Sequence, residues 1–343
     1  MNHRLVPPTA THWKAPAQQA GNPPAWPSYK GTSQLIGVSA SGRATVYVDP
    51  TIGAAGADNA RDLVNDADRV ANANDAVFGT TGGPVSVIVF ALGGATDGTG
   101  GADHGGCDYV SGAAIEVCAS FGNSARVSAL FEAELSECSM GSNLCGVSTG
   151  EALSRWCAAV IGANSLADFA TAPQWVRNGM KNYVNQTAPT DQDPDSTGCG
   201  MAFLSWLRNQ GFGLEKIAPA MVSLGDQGTL AQLYTTLTGQ PVGKAWPTFL
   251  AAVKALPAGV TNDDPFGGAT RTPHLAQFTP ATVELVEKVF SAIVADVVKS
   301  KYAHERTGSV RAALTATRKS QSRPVTSGKA GSRRLRRSTK KRH

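Results

Sequence analysis

Between Pro84 and Leu92 the chain reads PVSVIVFAL, a β-branched apolar run short enough for a buried strand. Such a strand constrains everything around it, because each of its backbone N–H and C=O groups needs a partner inside the protein. Further strand signals lie upstream, where SQLIGVSASGRATVYVDP (Ser33–Pro50) carries apolar runs on either side of the turn-forming pair Ser41-Gly42. Between the two, from about Ala57 to Val77, the residues Leu63, Ala67, Val70 and Val77 recur at helical spacing and predict an amphipathic helix. The segment GGATDGTGGADHGG after the apolar run reads as a glycine-rich loop.

From Asn123 onward the pattern is mostly helical. Asn123 or Ser124 can cap a helix running through Met140. Ser148-Thr149-Gly150-Glu151 has the form of a capping box for a second helix, through Ile161. Asp195, Ser196 and Thr197 precede a third, GCGMAFLSWLRNQ, and shorter helices are expected over Thr229–Leu237 and Pro247–Leu256. A last helix, opened by Thr279-Pro280, carries Val286, Val289, Phe290, Ile293 and Val297 on one face. Strands early and helices late predict an α+β fold, a small sheet followed by a mainly helical half.

Composition divides the chain into three segments. Residues 1–33 hold prolines at 7, 8, 16, 23, 24 and 27 and read as a disordered arm or linker. Residues 34–300 read as one globular domain. Residues 301–343 read as a basic disordered tail, with 14 Lys/Arg against one Asp/Glu, which leaves 17 basic and 25 acidic residues elsewhere. The net charge of +5 therefore averages a tail of +13 with a remainder of −8. All six cysteines fall between Cys107 and Cys199, an even and confined set that suggests disulfides and favours an extracellular or cell-envelope setting. Cys107 with Cys118 is the expected bridge, if CDYV and AAIEVC are two arms of a hairpin across Ser111-Gly112. The start, MNHRLVPPTATHW, has no apolar core of a signal peptide, and nothing later is expected to span a membrane, so the compartment stays open.

Within 34–300 the only histidines are His104 and His274, and neither sits in a nucleophile motif. There is no P-loop, and the glycine-rich loop lacks a GxGxxG pattern, which argues against nucleotide binding. SARVSALFEAELSECSMG is more informative. Val127, Leu130, Phe131, Leu135 and Cys138 outline a helix face that places Glu134 and Glu137 on or beside apolar surface. A carboxylate buried there needs a partner, a raised pKa or a metal. The alternative is that Glu137 sits in solvent at the edge of the face while Glu134 meets a backbone or arginine partner.

Ala133-Glu134-Leu135-Ser136-Glu137 resembles, in register, the HExxH helix of zincin metallopeptidases. Gly150-Glu151-Ala152-Leu153-Ser154 looks like the glutamate-bearing second helix of the gluzincin branch, and DSTGCGMAFLSWLRNQGFG is similar to the helix that packs below such sites. The likeness runs from about Pro84 to Gly239, and the chain also resembles uncharacterised bacterial proteins of this general kind. The resemblance implies a zincin-like fold, with Glu134 as general base and Glu151 as a metal ligand. Glu137 stands where the second histidine would be, and Ala133 replaces the first with a side chain that binds nothing. His104, from the preceding loop, is a possible replacement ligand, with a solvent-facing loop histidine as its alternative. Zinc or calcium are the ions to consider, although no cofactor is expected.

Two further segments carry charge in a pattern. Thr190–Asp195 resembles the first half of a calcium loop, but Ser196 and Ala202 stand where glycine and a bidentate glutamate belong, so an acidic turn leading into a helix cap is the simpler reading. The tail segment SRRLRRSTKKRH suits contact with nucleic acid or another polyanion without sequence preference. Three functions compete. They are a non-catalytic or altered zincin-like domain that binds a peptide, polymer or protein partner in its cleft, an active metallopeptidase, and polyanion binding through the tail.

Overall fold

The computed structural model describes residues 23–267. The expected helix after Thr279, the basic tail and the first 22 residues of the expected arm lie outside them. The strands are β1 (Gln34–Val38), β2 (Ala44–Val48), β3 (Val85–Phe90), β4 (Ala102–His104) and β5 (Ala114–Cys118). They form one sheet in the order β1-β2-β3-β5-β4. The apolar run is its centre: β3 pairs in parallel with β2 and with β5, while β1 and β4 close the two edges antiparallel. The expected α+β architecture is thus present, a five-stranded sheet followed by a helical half.

Alternation along the strands explains the layers. Val46 and Val48 of β2, Val85, Val87 and Val89 of β3, and Ile115 and Val117 of β5 form one buried core with Leu63, Ala67 and Val70 of helix α1 (Gly53–Phe78) and with Val127 and Phe131 of helix α2 (Ser124–Ser139). Tyr47, Ile88 and Ala114 point the other way. The cover there comes from residues 23–33, which have neither helix nor strand yet pack against the sheet. Trp26 meets Tyr47 edge-on at 5.5 Å and Tyr29 meets Phe90 at 5.0 Å. Glu116, fully buried on β5, accepts hydrogen bonds from the backbone N–H groups of Ser28 (3.0 Å) and Tyr29 (2.8 Å) and from the Ser28 hydroxyl. A carboxylate facing the apolar underside of a sheet is costly unless fully bonded, and the proline-rich segment supplies the donors.

The helical half comprises α3 (Ser148–Ile161), α4 (Ala172–Arg177), α5 (Pro194–Asn209), α6 (Leu214–Leu224), α7 (Leu230–Thr238) and α8 (Ala245–Lys254). Its core is aromatic. Trp175 stacks on Phe249 at 5.8 Å, Trp206 stacks on Tyr234 at 5.6 Å, and Phe203 meets Phe249 edge-on at 5.0 Å. Such pairs add roughly 0.5–1.5 kcal/mol each beyond the area they bury. The caps follow the sequence where short polar residues precede apolar runs: Asn123 accepts from the Arg126 N–H, and Thr229 forms a capping box with Gln232. Helix α5 starts earlier than expected, at Pro194, with Asp193 as its cap. Helices α4 and α6 were not legible, because α4 is a single short turn-and-a-half with Pro173 in its first turn and α6 contains Pro219. No helix among the described residues is long and apolar enough to cross a membrane.

Two local expectations fail. The 148–151 capping box does not form: α3 is preceded by Val147, and the Ser148 hydroxyl accepts instead from the Ala188 N–H at 2.9 Å, tying down the loop that precedes α5. Glu151 is thereby left free to face a cleft. The expected Cys107–Cys118 bridge is also absent; Cys107 is bonded to Cys145, and Cys118 is a buried free thiol. Register is the reason. The hairpin pairs Ala102 with Val117 and His104 with Ile115, so Cys118 lies at the far end of β5, its N–H bonded to Gly101, while Cys107 lies beyond the other end of β4.

Candidate functional site

The cleft of about 690 Å³ lies where the β4 edge of the sheet meets α2 and α3. Helix α2 turns Val127, Leu130, Phe131, Leu135 and Cys138 into the core. Its remaining face presents Ala133, Glu134 and Glu137 to the cleft. Helix α3 contributes Glu151, Ser154 and Arg155, one turn apart on one face. Strand β4, hidden in the sequence inside the glycine-rich loop, contributes Asp103 and His104.

His104 is neither in a loop nor in solvent. Its side chain is 10% exposed, and Nε2 lies 2.9 Å from Glu137 Oε2 and 3.7 Å from Glu134 Oε2. The Gly106 N–H donates to His104 Nδ1 at 3.3 Å, so in the neutral ring Nε2 holds the proton and donates it to Glu137. The Ser154 hydroxyl lies 3.1 Å from the other Glu137 oxygen. Glu137 is therefore the hub of the site and not a solvent-edge residue, while Glu134 lies 3.7 Å from His104 Nε2 and feels the charge of Arg155. The four candidate residues Glu134, Glu137, Glu151 and His104 converge on one cleft.

Crowding of acids sets the electrostatics. Burial, then the charges of Glu137 and Glu151, hold the Glu134 carboxyl well above the ordinary glutamate range. Burial also lifts Glu151, to about 8; Arg155, 3.6 Å away, opposes this, and Glu137 adds to it. Burial works against a charged His104, but the hydrogen bond and charge of Glu137, with Asp103, outweigh it and raise its pKa. At neutral pH the site therefore holds protons that a better-solvated set of acids would release. Asp191, with Gln192, borders the same cleft. Elsewhere in the Thr190–Asp195 turn, Asp193 caps α5 by accepting from the Asp195 N–H, and the Asp195 side chain accepts from the Asn178 side chain at 2.8 Å.

Several site residues escaped the sequence reading. Ser154 and Arg155 follow Glu151 by one helical turn, and that spacing is the sequence signal that puts them on the same face of α3. Phe169 lies under the guanidinium groups of Arg126 (5.0 Å) and Arg155 (5.8 Å) and borders the cleft. The buried Arg126 itself is held by Asp168 at 2.7 Å and by the Gly100 carbonyl at 2.7 Å, which fixes the chain entering β4. The Cys107–Cys145 bridge joins the loop after β4 to the loop between α2 and α3 at the cleft wall. That second loop lies tight against α3: a Cβ on Gly150 would fall 2.0 Å from the Leu144 carbonyl oxygen, so only glycine fits.

The donors open to the cleft are one imidazole nitrogen and several carboxylate oxygens, while Ala133 offers none. With the disulfide closed, such a set fits a hard cation such as calcium or manganese, or an organic cation, better than it fits zinc. Compared with family models and with curated proteins, the chain matches none.

Proposed function

We propose that the chain carries a non-catalytic or altered zincin-like domain whose cleft binds a peptide, polymer or protein partner through a positively charged group. The observation that carries this reading is the convergence of Glu134, Glu137 and Glu151 around His104. Five carboxylates line the cleft, with Asp103 and Asp191, against one guanidinium and one imidazole. Burying acids together costs stability, and a cation that displaces their protons recovers it. A lysine or arginine side chain fits the charge, and a cleft of this volume accepts a few residues.

The test is equilibrium binding at low salt of a fluorescent tetralysine peptide and its tetraglutamate counterpart. The tetralysine peptide is expected to bind at least about tenfold more tightly, and Glu137→Gln with Glu151→Gln to remove the difference. Equal binding of the two peptides, or an unchanged preference in the double variant, rejects the reading.

A second reading, an active metallopeptidase with Glu134 as general base, is favoured by one observation: His104 brings an imidazole to the place where Ala133 offers nothing. Glu134-dependent cleavage of a fluorogenic peptide, abolished by Glu134→Gln, would support it over the binding role.

A further inference from the structure

The disulfide closes on a place where a metal ion would otherwise find its ligands. His104, Cys107 and Glu137 each present one ligand atom, and the three lie within 4.8 Å of one another. The partner sulfur, that of Cys145, is bonded to Cys107 and so borders the same point. Zinc holds nitrogen at roughly 2.0–2.1 Å and thiolate sulfur at about 2.3 Å, so tetrahedral ligand atoms stand roughly 3.3–3.8 Å apart. The existing spacing needs only small side-chain rotations to match, once the two sulfurs are free to part.

We propose that reduction of Cys107–Cys145 converts this part of the cleft into a zinc site with Cys107, Cys145, His104 and Glu137 as its ligands. The scaffold that would hold them does not depend on the disulfide. The Ser142 N–H donates to the Cys107 carbonyl at 2.7 Å, the Ser142 hydroxyl to Asp108 at 2.9 Å, and the Leu144 N–H to Asp226 at 2.6 Å. The first two bonds keep the two cysteine-bearing loops side by side after the sulfurs separate, and the third anchors the Cys145 loop to the segment between α6 and α7. His104 is set by its strand pairing and Glu137 by α2. Oxidised, the cleft offers oxygen and one nitrogen; reduced, it adds two soft sulfurs, which changes the metal it prefers.

The chemistry balances with a trialkylphosphine as reductant. Phosphorus attacks one sulfur and the S–S bond breaks; water then delivers oxygen to phosphorus, giving the phosphine oxide, and its two protons go to the two sulfurs. Zinc binding then releases those two thiol protons, and His104 gives up the proton on Nε2, the nitrogen that turns from Glu137 to the metal. The proposal rests on these four side chains and not on recognition of a cationic peptide, so either can fail alone.

Cobalt(II) is the probe, because thiolate ligands give it a near-ultraviolet charge-transfer band that carboxylate and imidazole do not. Full-length protein reduced with phosphine is expected to bind one cobalt per chain with that band, and zinc to bleach it. The oxidised protein should bind at least about a hundredfold more weakly and without the band. Cys145→Ser, which frees Cys107 without reductant, should give about half the band intensity. His104→Asn, which keeps the disulfide and its folding route, should lower the reduced protein's affinity at least about tenfold. The double variant Cys107→Ser/Cys145→Ser retains the buried thiols of Cys118, Cys138, Cys157 and Cys199 and should show no band. A reduced protein that keeps its near-ultraviolet circular dichroism but shows no band overturns the proposal. So does a band that survives in the double variant, that is indifferent to His104→Asn, or that arises only as the native dichroism is lost.

Discussion

Replacing Glu151 with glutamine is expected to stabilise the fold at neutral pH while weakening the site. The carboxyl is raised from 4.5 to about 8, so the folded state holds its proton where the unfolded chain has released it. The sign follows directly: the stability associated with this group is fully present below about 4.5 and is lost as pH rises through 8. At about 1.4 kcal/mol per pH unit, the wild type forfeits roughly 3 kcal/mol by pH 7 and roughly 5 kcal/mol across the whole interval. With 22% of the side chain exposed, solvent relaxation reduces these limits. Glutamine keeps the shape and removes the charge, giving up only the 3.6 Å contact with Arg155, worth under about 1 kcal/mol. The net expectation is a gain of about 1–2 kcal/mol at pH 7, vanishing near pH 4. Urea denaturation of both proteins across this range measures it. A variant less stable than wild type near pH 8, or a stability profile parallel to that of wild type, refutes the claim that acid crowding strains this site.

Two further substitutions test how the fold positions the site. Glu116→Ala leaves three donors of the Ser28–Tyr29 segment without their acceptor and should cost about 2–4 kcal/mol, with faster hydrogen exchange at the Ser28 and Tyr29 amides; unchanged exchange would show that the segment is held by Trp26 and Tyr29 alone. Gly150→Ala should gain about 1 kcal/mol in helix propensity but lose more to the Leu144 carbonyl, for a net loss of about 1–2 kcal/mol in thermal or urea unfolding; a stabilised variant would mean that the 140–147 loop yields easily.

The parts of the fold legible in the sequence are those governed by a period. The β3 run, the buried stripes of α1 and α2 and the acidic residues beside the α2 stripe all follow from spacing alone, and Glu134 and Glu137 were found that way. Strand β4 was not legible, because three residues among glycines carry no period; their strand state comes from pairing with β5. His104 therefore reads as a loop residue in the sequence, although its nearness to Glu137 is what organises the cleft. The disulfide failed for a related reason, since hairpin register, which depends on where β4 begins and ends, decides which cysteines meet. Residues 23–33 look unstructured by composition, yet Trp26, Tyr29 and the donors to Glu116 attach them to the sheet through long-range contacts.

The most direct test of the central claim is the pH dependence of tetralysine binding to the oxidised, full-length protein. Between about pH 6 and about pH 9 Glu151, whose pKa burial raises to about 8, loses its proton and makes the cleft more negative. The account predicts that affinity rises at least about tenfold over this range, and that most of the rise disappears in Glu137→Gln/Glu151→Gln. Affinity that is flat or falls with pH, or a rise that the double variant keeps in full, would contradict it.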